Sequence, residues 1–446
     1  MRKVLFVSLG CDKNLADSEE MLGMLVEHGY EITNEESQAE VIVINTCAFI
    51  HDAKEESVNA ILEMAEYKKA GTLKALLVTG CLAQRYQEEI IEEIPEVDAV
   101  LGTTSFDEIL KALDKVYEGE RYLEFKDTDY LPRTSGRRVI TTGGYFDYLK
   151  IAEGCDKRCT YCIIPKLRGN YRSVPMEDLV AQAEYMAEKG VKELIVVAQE
   201  TTIYGTDLYG EKSLHILLEK LCRIPGIQWI RVLYCYPEEI YPALIETMKK
   251  EKKICHYLDL PIQHCSDRIL KRMGRRTTKQ ELVDIVRTLR REIPDIILRT
   301  TLITGFPGET QEDHEELMEF IDAMEFDRLG VFTYSAEEDT PAARMPDQIE
   351  EEVKLDRQAE LMELQQEISL DKGNERIGTE VEVMIEGKVA DENAYVGRTY
   401  GDAPNVDGYI FVNTDTELMS GDFALVHVTG ALEYDLIGEL KDEYTE

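Results

Sequence analysis

Six of the ten cysteines in this chain fall into two groups whose spacing lets their thiols act together. The first is a compact loop, Cys155-Asp156-Lys157-Arg158-Cys159-Thr160-Tyr161-Cys162. Three thiolates in one short loop can face a single metal centre. A tetrahedral structural zinc wants four ligands, and no fourth Cys or His lies in the loop. A 4Fe-4S cluster held by three cysteines leaves one iron open for a substrate or cofactor. A zinc site completed from elsewhere in the chain, or three incidental buried thiols, are the alternatives. The second group is dispersed: Cys11, Cys47 and Cys81 are separated by 36 and 34 residues, and each lies just past an apolar run. In a parallel sheet such run ends share one edge, so three distant thiols can converge there. Again no fourth ligand is evident, and a second cluster with an open iron is expected; unliganded cysteines at ordinary strand ends are the alternative. Cys222, Cys235, Cys255 and Cys265 share no pattern and read as small buried hydrophobes.

The elements that must position these thiols can be read from hydropathy. Runs at Val4 to Ser8, Val41 to Asn45, Ala75 to Thr79 and Ala99 to Leu101 alternate with helical patterns near Asp17 to His28, through Ile61 and Met64, near Gln84 to Glu93 and at Ser105 to Tyr117. Such alternation means a parallel sheet, here a small doubly wound domain. The stretch from Glu118 to Gly144 lacks periodicity and reads as a linker. A second series begins at Tyr148 to Ala152 and recurs at Leu194 to Ala198, Trp229 to Leu233, His256 to Leu260, Ile296 to Thr304 and Arg328 to Tyr334. Six βα units predict a barrel short of closure by two. A charged helix from Ile349 to Leu370 follows, then short strands such as Glu380 to Ile385 and Gly408 to Val412, which predict a small antiparallel β-barrel. The fold expected is therefore α/β with five segments: a sheet domain over 1–125, a linker over 126–144, a partial (βα)6 TIM-like barrel over 145–346, a connecting helix over 347–375 and a β domain over 376–446.

Composition narrows the partners. The chain has 446 residues and is 44% hydrophobic, enough for several cores, which excludes a disordered or fibrous protein. Acidic side chains outnumber basic ones 88 to 50, a net charge of -38. That is the wrong sign for phosphate neutralisation and favours basic partners. No apolar run is long enough for a signal peptide core or a membrane span. A cytoplasmic setting is expected, where thiols stay reduced and clustered cysteines are metal ligands rather than disulfides.

The CxxxCxxC loop after the first strand of a βα series is similar to that of the radical S-adenosylmethionine enzymes. This resemblance implies that the cofactor chelates the open iron and that its reductive cleavage yields a 5'-deoxyadenosyl radical, which a barrel interior shields from water. It places Tyr161 against adenine, with ordinary core packing as the alternative. It also places Gln199 and Glu200, at the second strand's end, near the cofactor amino group. Gly305, Gly308 and Glu309, in the Gly-Phe-Pro-Gly-Glu-Thr run, would let backbone approach adenine and ribose; a tight strand-to-helix turn is the other reading. Taken with Cys11, Cys47 and Cys81 and a terminal domain resembling TRAM, the whole chain resembles the methylthiotransferases. Two 4Fe-4S clusters, S-adenosylmethionine and an electron donor such as flavodoxin or ferredoxin are thereby implied, with the sulfur source open.

That family acts either on tRNA adenosines or on an aspartate of ribosomal protein S-twelve. Over 376–446 there are four basic and sixteen acidic residues, a net of -12, which departs from an RNA-binding surface and suits a basic protein. The Leu9 to Glu19 segment resembles the ribosomal-protein branch, and Glu337, Glu338 and Asp339 stand where tRNA enzymes often carry Arg. S-twelve is the expected partner, with tRNA as the alternative and no membrane. Arg168 and Arg172, with Arg272, Arg275 and Arg276, form basic islands for the cofactor carboxylate, an aspartate substrate or RNA.

Overall fold

A computed structural model describes residues 2–71, 73–132, 137–390 and 392–441; residues 133–136 of the expected linker lie outside these. The first sheet is wholly parallel, in the order Tyr30–Ile32, Arg2–Ser8, Val41–Thr46, Ala75–Gly80, Ala99–Leu101, Tyr122–Glu124. Its central strands are buried on both faces, so they read as unbroken apolar runs. Along Val41–Thr46, Val41 and Val43 face helices Asp12–Glu27 and Ile109–Tyr117, while Ile42 and Ile44 face helix His51–Lys69. The two edge strands have three residues each, too short to leave a sequence pattern, and Tyr122–Glu124 falls inside the stretch read as linker. The helix expected over Gln84 to Glu93 is broken at Gln87, which takes a left-handed φ of 46°, into Cys81–Tyr86 and Glu89–Glu93.

The central unit is an open sheet of six parallel strands in sequential order: Phe146–Lys150, Glu193–Val197, Trp229–Val232, Ile254–Asp259, Ile297–Thr304, Arg328–Thr333. Helices cover its outer face in the largest apolar core of the molecule. An open sheet leaves an edge that could pair with another chain. Helix Glu351–Glu375 covers that edge: Gln358 donates to the Val331 carbonyl (2.7 Å), Gln365 to that of Phe326 (2.9 Å), and Leu361 and Ile368 join the core.

The C-terminal strands close a five-membered barrel. Four of its pairings are antiparallel, but Ile410–Asn413 runs parallel to Leu436–Leu440, a departure from the purely antiparallel barrel expected. The barrel plugs the amino-terminal end of the central sheet's concave face, where Trp229 meets Phe423 edge-on at 4.8 Å. Beneath this lies a buried ion cluster: Glu193 accepts from Arg231 and Arg398, both at 2.8 Å, and Arg398 also reaches Glu386. No helix among the described residues is long and apolar enough to cross a membrane.

Two arginines hold the Glu193 carboxyl below its ordinary value despite burial. The ionised form is thus the one the fold favours, and this stabilisation is full at neutral pH and lost as pH falls through the carboxylate range. Arg398→Met leaves the Glu193 charge short of a partner, and a loss of about 3 kcal/mol is expected in urea unfolding at neutral pH.

Candidate active site

The parallel register brings Ser8, Asn45 and Thr79 level, so the three strands end together. Cys11 precedes helix Asp12–Glu27, Cys47 follows its strand directly, and Cys81 opens the helix after Gly80. Gly10 is what permits the close approach: with φ of 86°, its added Cβ would lie 2.8 Å from the Cys47 sulfur. Two asparagines tie the loop ends, Asn14 donating to the carbonyls of Leu9 (2.9 Å) and Thr46 (3.0 Å), and Asn45 to that of Asn14 (2.8 Å). Ser57, from helix His51–Lys69, clasps both backbone groups of Cys47. Burial pushes the Cys47 thiol up to about 12, and the nearby sulfurs of Cys81 and Cys11 add to the rise. A thiol set that resists ionisation alone but sits together is one that a positive cluster stabilises as thiolates.

The second triad is built by backbone. Gly154, at φ of 80°, passes so near the Asn170 carbonyl that a Cβ would come within 2.1 Å of it, and Cys155 N–H donates to the Gly169 carbonyl at 3.1 Å. Cys162 N–H bonds the Cys159 carbonyl (3.1 Å), and Thr160 is held by Met273 and Arg272. The Cys159 sulfur lies 3.7 Å from the Tyr236 hydroxyl. Burial pushes Cys155 up to about 11. Among the described residues neither triad draws in on a point where one ion would sit.

Around this loop several buried polar atoms have no partner among the described residues: Gln199 Oε1, Glu200 Oε2, and Nε and one terminal nitrogen of Arg275. Gln199 spends its amide on Glu153 (2.9 Å), and Glu200 spends its other oxygen on Thr202. The Arg275 guanidinium lies 4.2 Å over the Tyr236 ring. Unpaired buried donors and acceptors are costly, and a ligand carrying both ammonium and carboxylate would satisfy the two kinds. Tyr161 stands edge-on to Phe306 with ring centres 6.5 Å apart.

Comparison with known proteins now bears on the geometry. Residues 3–102 match the model of the uncharacterized protein family UPF0004, 149–321 that of the radical SAM superfamily, and 377–440 that of the TRAM domain. The ribosomal protein uS12 methylthiotransferase RimO of Lachnoclostridium phytofermentans is 66% identical, covering 98% of this chain and 99% of that protein. Its counterpart in Clostridioides difficile is 50% identical, with 99% of each chain covered. The chain belongs to the RimO family. It is a radical SAM methylthiotransferase. Among solved structures, the radical S-adenosylmethionine methyltransferase TsrM from Kitasatospora setae is similar at a TM-score of 0.55 and 13% identity, covering 88% of this chain and 79% of that one, a likeness of fold.

In this member of the RimO family several of the expected site residues have partners within the chain. Glu309 turns inward: its oxygens accept from the Phe306 N–H (3.1 Å) and Arg357 (2.9 Å), so it braces the turn. Gly305 and Gly308 make room for the chain's own side chains, an added Cβ meeting Lys354 at 2.2 Å and Arg272 at 2.9 Å. The run builds a tight strand-to-helix turn. Arg168 is wholly buried and bound to Asn14, Asp17 and Glu153. Arg172 is half-buried along the same loop, donating to the Arg168 carbonyl at 3.1 Å. Glu337 pairs with Lys54 (2.7 Å) and Arg85 (3.2 Å), joining the first unit to the central one instead of facing a partner. The sequence reading missed Glu153 and Tyr236; an acid one residue before Gly154-Cys155 was the available signal for the first.

Burial raises the Glu200 carboxyl to about 7, so the folded apoprotein favours its protonated form. The sign is opposite to that of Glu193: stability is lost as pH rises from the ordinary carboxylate range through about 7. Glu200→Gln is expected to remove a loss of about 3 kcal/mol between roughly pH 5 and pH 8, seen as a flatter pH profile of the urea midpoint.

Proposed function

We propose that this chain attaches a methylthio group to the β-carbon of an aspartate in ribosomal protein uS12 (S-twelve), with Cys155, Cys159 and Cys162 holding one 4Fe-4S cluster and Cys11, Cys47 and Cys81 an auxiliary one. The observation that carries this reading is the pair of three-thiol sets, each placed at a carboxyl edge of parallel strands and each one ligand short. When bound, the clusters and S-adenosylmethionine supply hydrogen abstraction at carbon and a methylated sulfur for transfer. The chain's own residues do the rest. Gln199 and Glu200 present unpaired oxygens to the cofactor ammonium, and Arg275 presents its unpaired nitrogens to the cofactor carboxylate. Tyr161 packs against the adenine side, and the buried side chains of Cys155 and Cys159 hold their end of the site away from water. Over 1–125 the chain carries the auxiliary set, over 145–346 the radical site, and over 376–446 a domain whose acidic excess draws the basic substrate protein. A cytoplasmic setting with a flavodoxin- or ferredoxin-like reductant completes the reading, and the sulfur source is left to experiment.

Mass spectrometry of anaerobic reactions containing the reconstituted enzyme, reductant, S-adenosylmethionine and either uS12 or bulk tRNA tests the substrate. The expected product is methylthio-aspartate in uS12; modified tRNA adenosine instead refutes the substrate assignment. Alanine at Cys155, Cys159 and Cys162 is expected to abolish 5'-deoxyadenosine formation. Alanine at Cys11, Cys47 and Cys81 is expected to spare that cleavage while stopping sulfur transfer, and loss of both activities in the second variant refutes the division of roles.

A further inference from the structure

The chain just past the third central strand, Trp229–Val232, closes on the CxxxCxxC loop from the side. Tyr236 leads into the single helical turn Pro237–Glu239. Its hydroxyl lies 3.7 Å from the Cys159 sulfur and makes no other hydrogen bond among the described residues. Three residues on, Glu239 pairs with Lys157 of the same loop and with Lys212 (2.7 Å). The Tyr236 ring carries two cations, with the Arg275 guanidinium 4.2 Å and the Lys157 ammonium 4.9 Å from its centre. Arg275 in turn donates to the Pro261 carbonyl (3.0 Å), and the segment it belongs to accepts the Thr160 N–H at the Met273 carbonyl (2.9 Å). Tyr236 therefore stands between the thiol loop and the arginine whose remaining nitrogens are unpaired, touching one through its oxygen and the other through its ring.

We propose that Tyr236 is a positioning residue for the radical site with two separable contacts: its hydroxyl donates to the Cys159 sulfur and raises the reduction potential of the cluster held there, and its ring seats the Arg275 guanidinium that meets the cofactor carboxylate. This rests on the reading of Cys155, Cys159 and Cys162 as cluster ligands and of Arg275 as a cofactor contact. A free Cys159 thiol can donate to the phenol oxygen, but a thiolate on iron has no proton, so the hydroxyl must be the donor. Reduction adds negative charge to a thiolate-bound cluster, and a donor on a ligand sulfur stabilises that charge, the more so in a buried site. Cations on the ring draw electron density from the phenol, which makes its O–H a stronger donor. Phenylalanine would keep the ring beneath Arg275 and give up the donor alone.

The test uses the full chain carrying Ala at Cys11, Cys47 and Cys81, so that one cluster remains, reconstituted with iron and sulfide. Iron is counted, the midpoint potential is read by EPR-monitored titration, and S-adenosylmethionine affinity by anaerobic equilibrium dialysis. In that background Tyr236→Phe is expected to move the midpoint to more negative potential at unchanged iron content. Tyr236→Leu is expected to show the same move and to bind S-adenosylmethionine about tenfold more weakly than Tyr236→Phe, since it also removes the ring from beneath Arg275. An unmoved midpoint in Tyr236→Phe with full iron overturns the hydroxyl's role, and equal affinity in the two variants overturns the ring's. Absence of iron in the parent triple-alanine chain overturns the ligand assignment beneath both instead.

Discussion

Parallel strands deliver their carboxyl ends to one edge, and that single constraint governs the rest of this molecule. Two such edges, one from each sheet, face one another across a seam, and the two sets of three thiols lie along them. Residues 36 and 34 apart in sequence become neighbours because Ser8, Asn45 and Thr79 are held in register by the ladder. The seam itself is polar. Arg168 with Asp17, Arg85 and Lys54 with Glu337, and Tyr234 with Asp12 (3.0 Å) join the two halves. Such contacts are directional, and they fix orientation where an apolar interface would fix only proximity. Lys13 illustrates the economy: its ammonium lies 3.2 Å over the Tyr234 ring and 3.0 Å from Asp12, so a charge inside the seam is matched on the spot.

Where the chain is periodic and buried on both sides, its fold can be read directly. The Val41 run, the Ala75 run and the first four central strands owe their sequence pattern to burial, whereas Ile297–Thr304 alternates and Arg328–Thr333 is mostly half-buried. The thiol loop was equally legible, since three like residues at fixed spacing carry their own geometry. Edge strands of three residues leave too few positions to show alternation, and the break at Gln87 depends on a backbone angle that no composition announces. Side-chain partnership was the least legible property. Glu309 and Arg168 have the residue types a cofactor or substrate site would use, but tertiary contacts from helix Glu351–Glu375 and helix Asp12–Glu27 had already claimed them. Neither partner is near in sequence, so nothing local could reveal them.

Net charge is a similar case. The C-terminal barrel is strongly acidic, yet Asp402 and Asp407 pair with Arg328 and Arg299 of the central sheet, and Glu386 pairs with Arg398 of the barrel itself. Part of the excess is thus internal counter-charge that anchors the barrel, and the remainder is surface. Only the surface part can act on a partner, and a charge count over the sequence cannot separate the two.

Helix Glu351–Glu375 has one end at the Gly-Phe-Pro-Gly turn, through Lys354 against Gly305 and Arg357 on Glu309, and the other at the barrel, where Gly373 abuts Ala431. Its 25 residues make a rod about 37 Å long. Two ends of a rod share one phase as well as one length. A single residue inserted between them would swing the turn-facing side chains by about 100° relative to the barrel, and two would turn them to the far side. The helix therefore works as a ruler and a key together. The number of residues between Arg357 and Gly373 is as much a part of the site's construction as any side chain it carries.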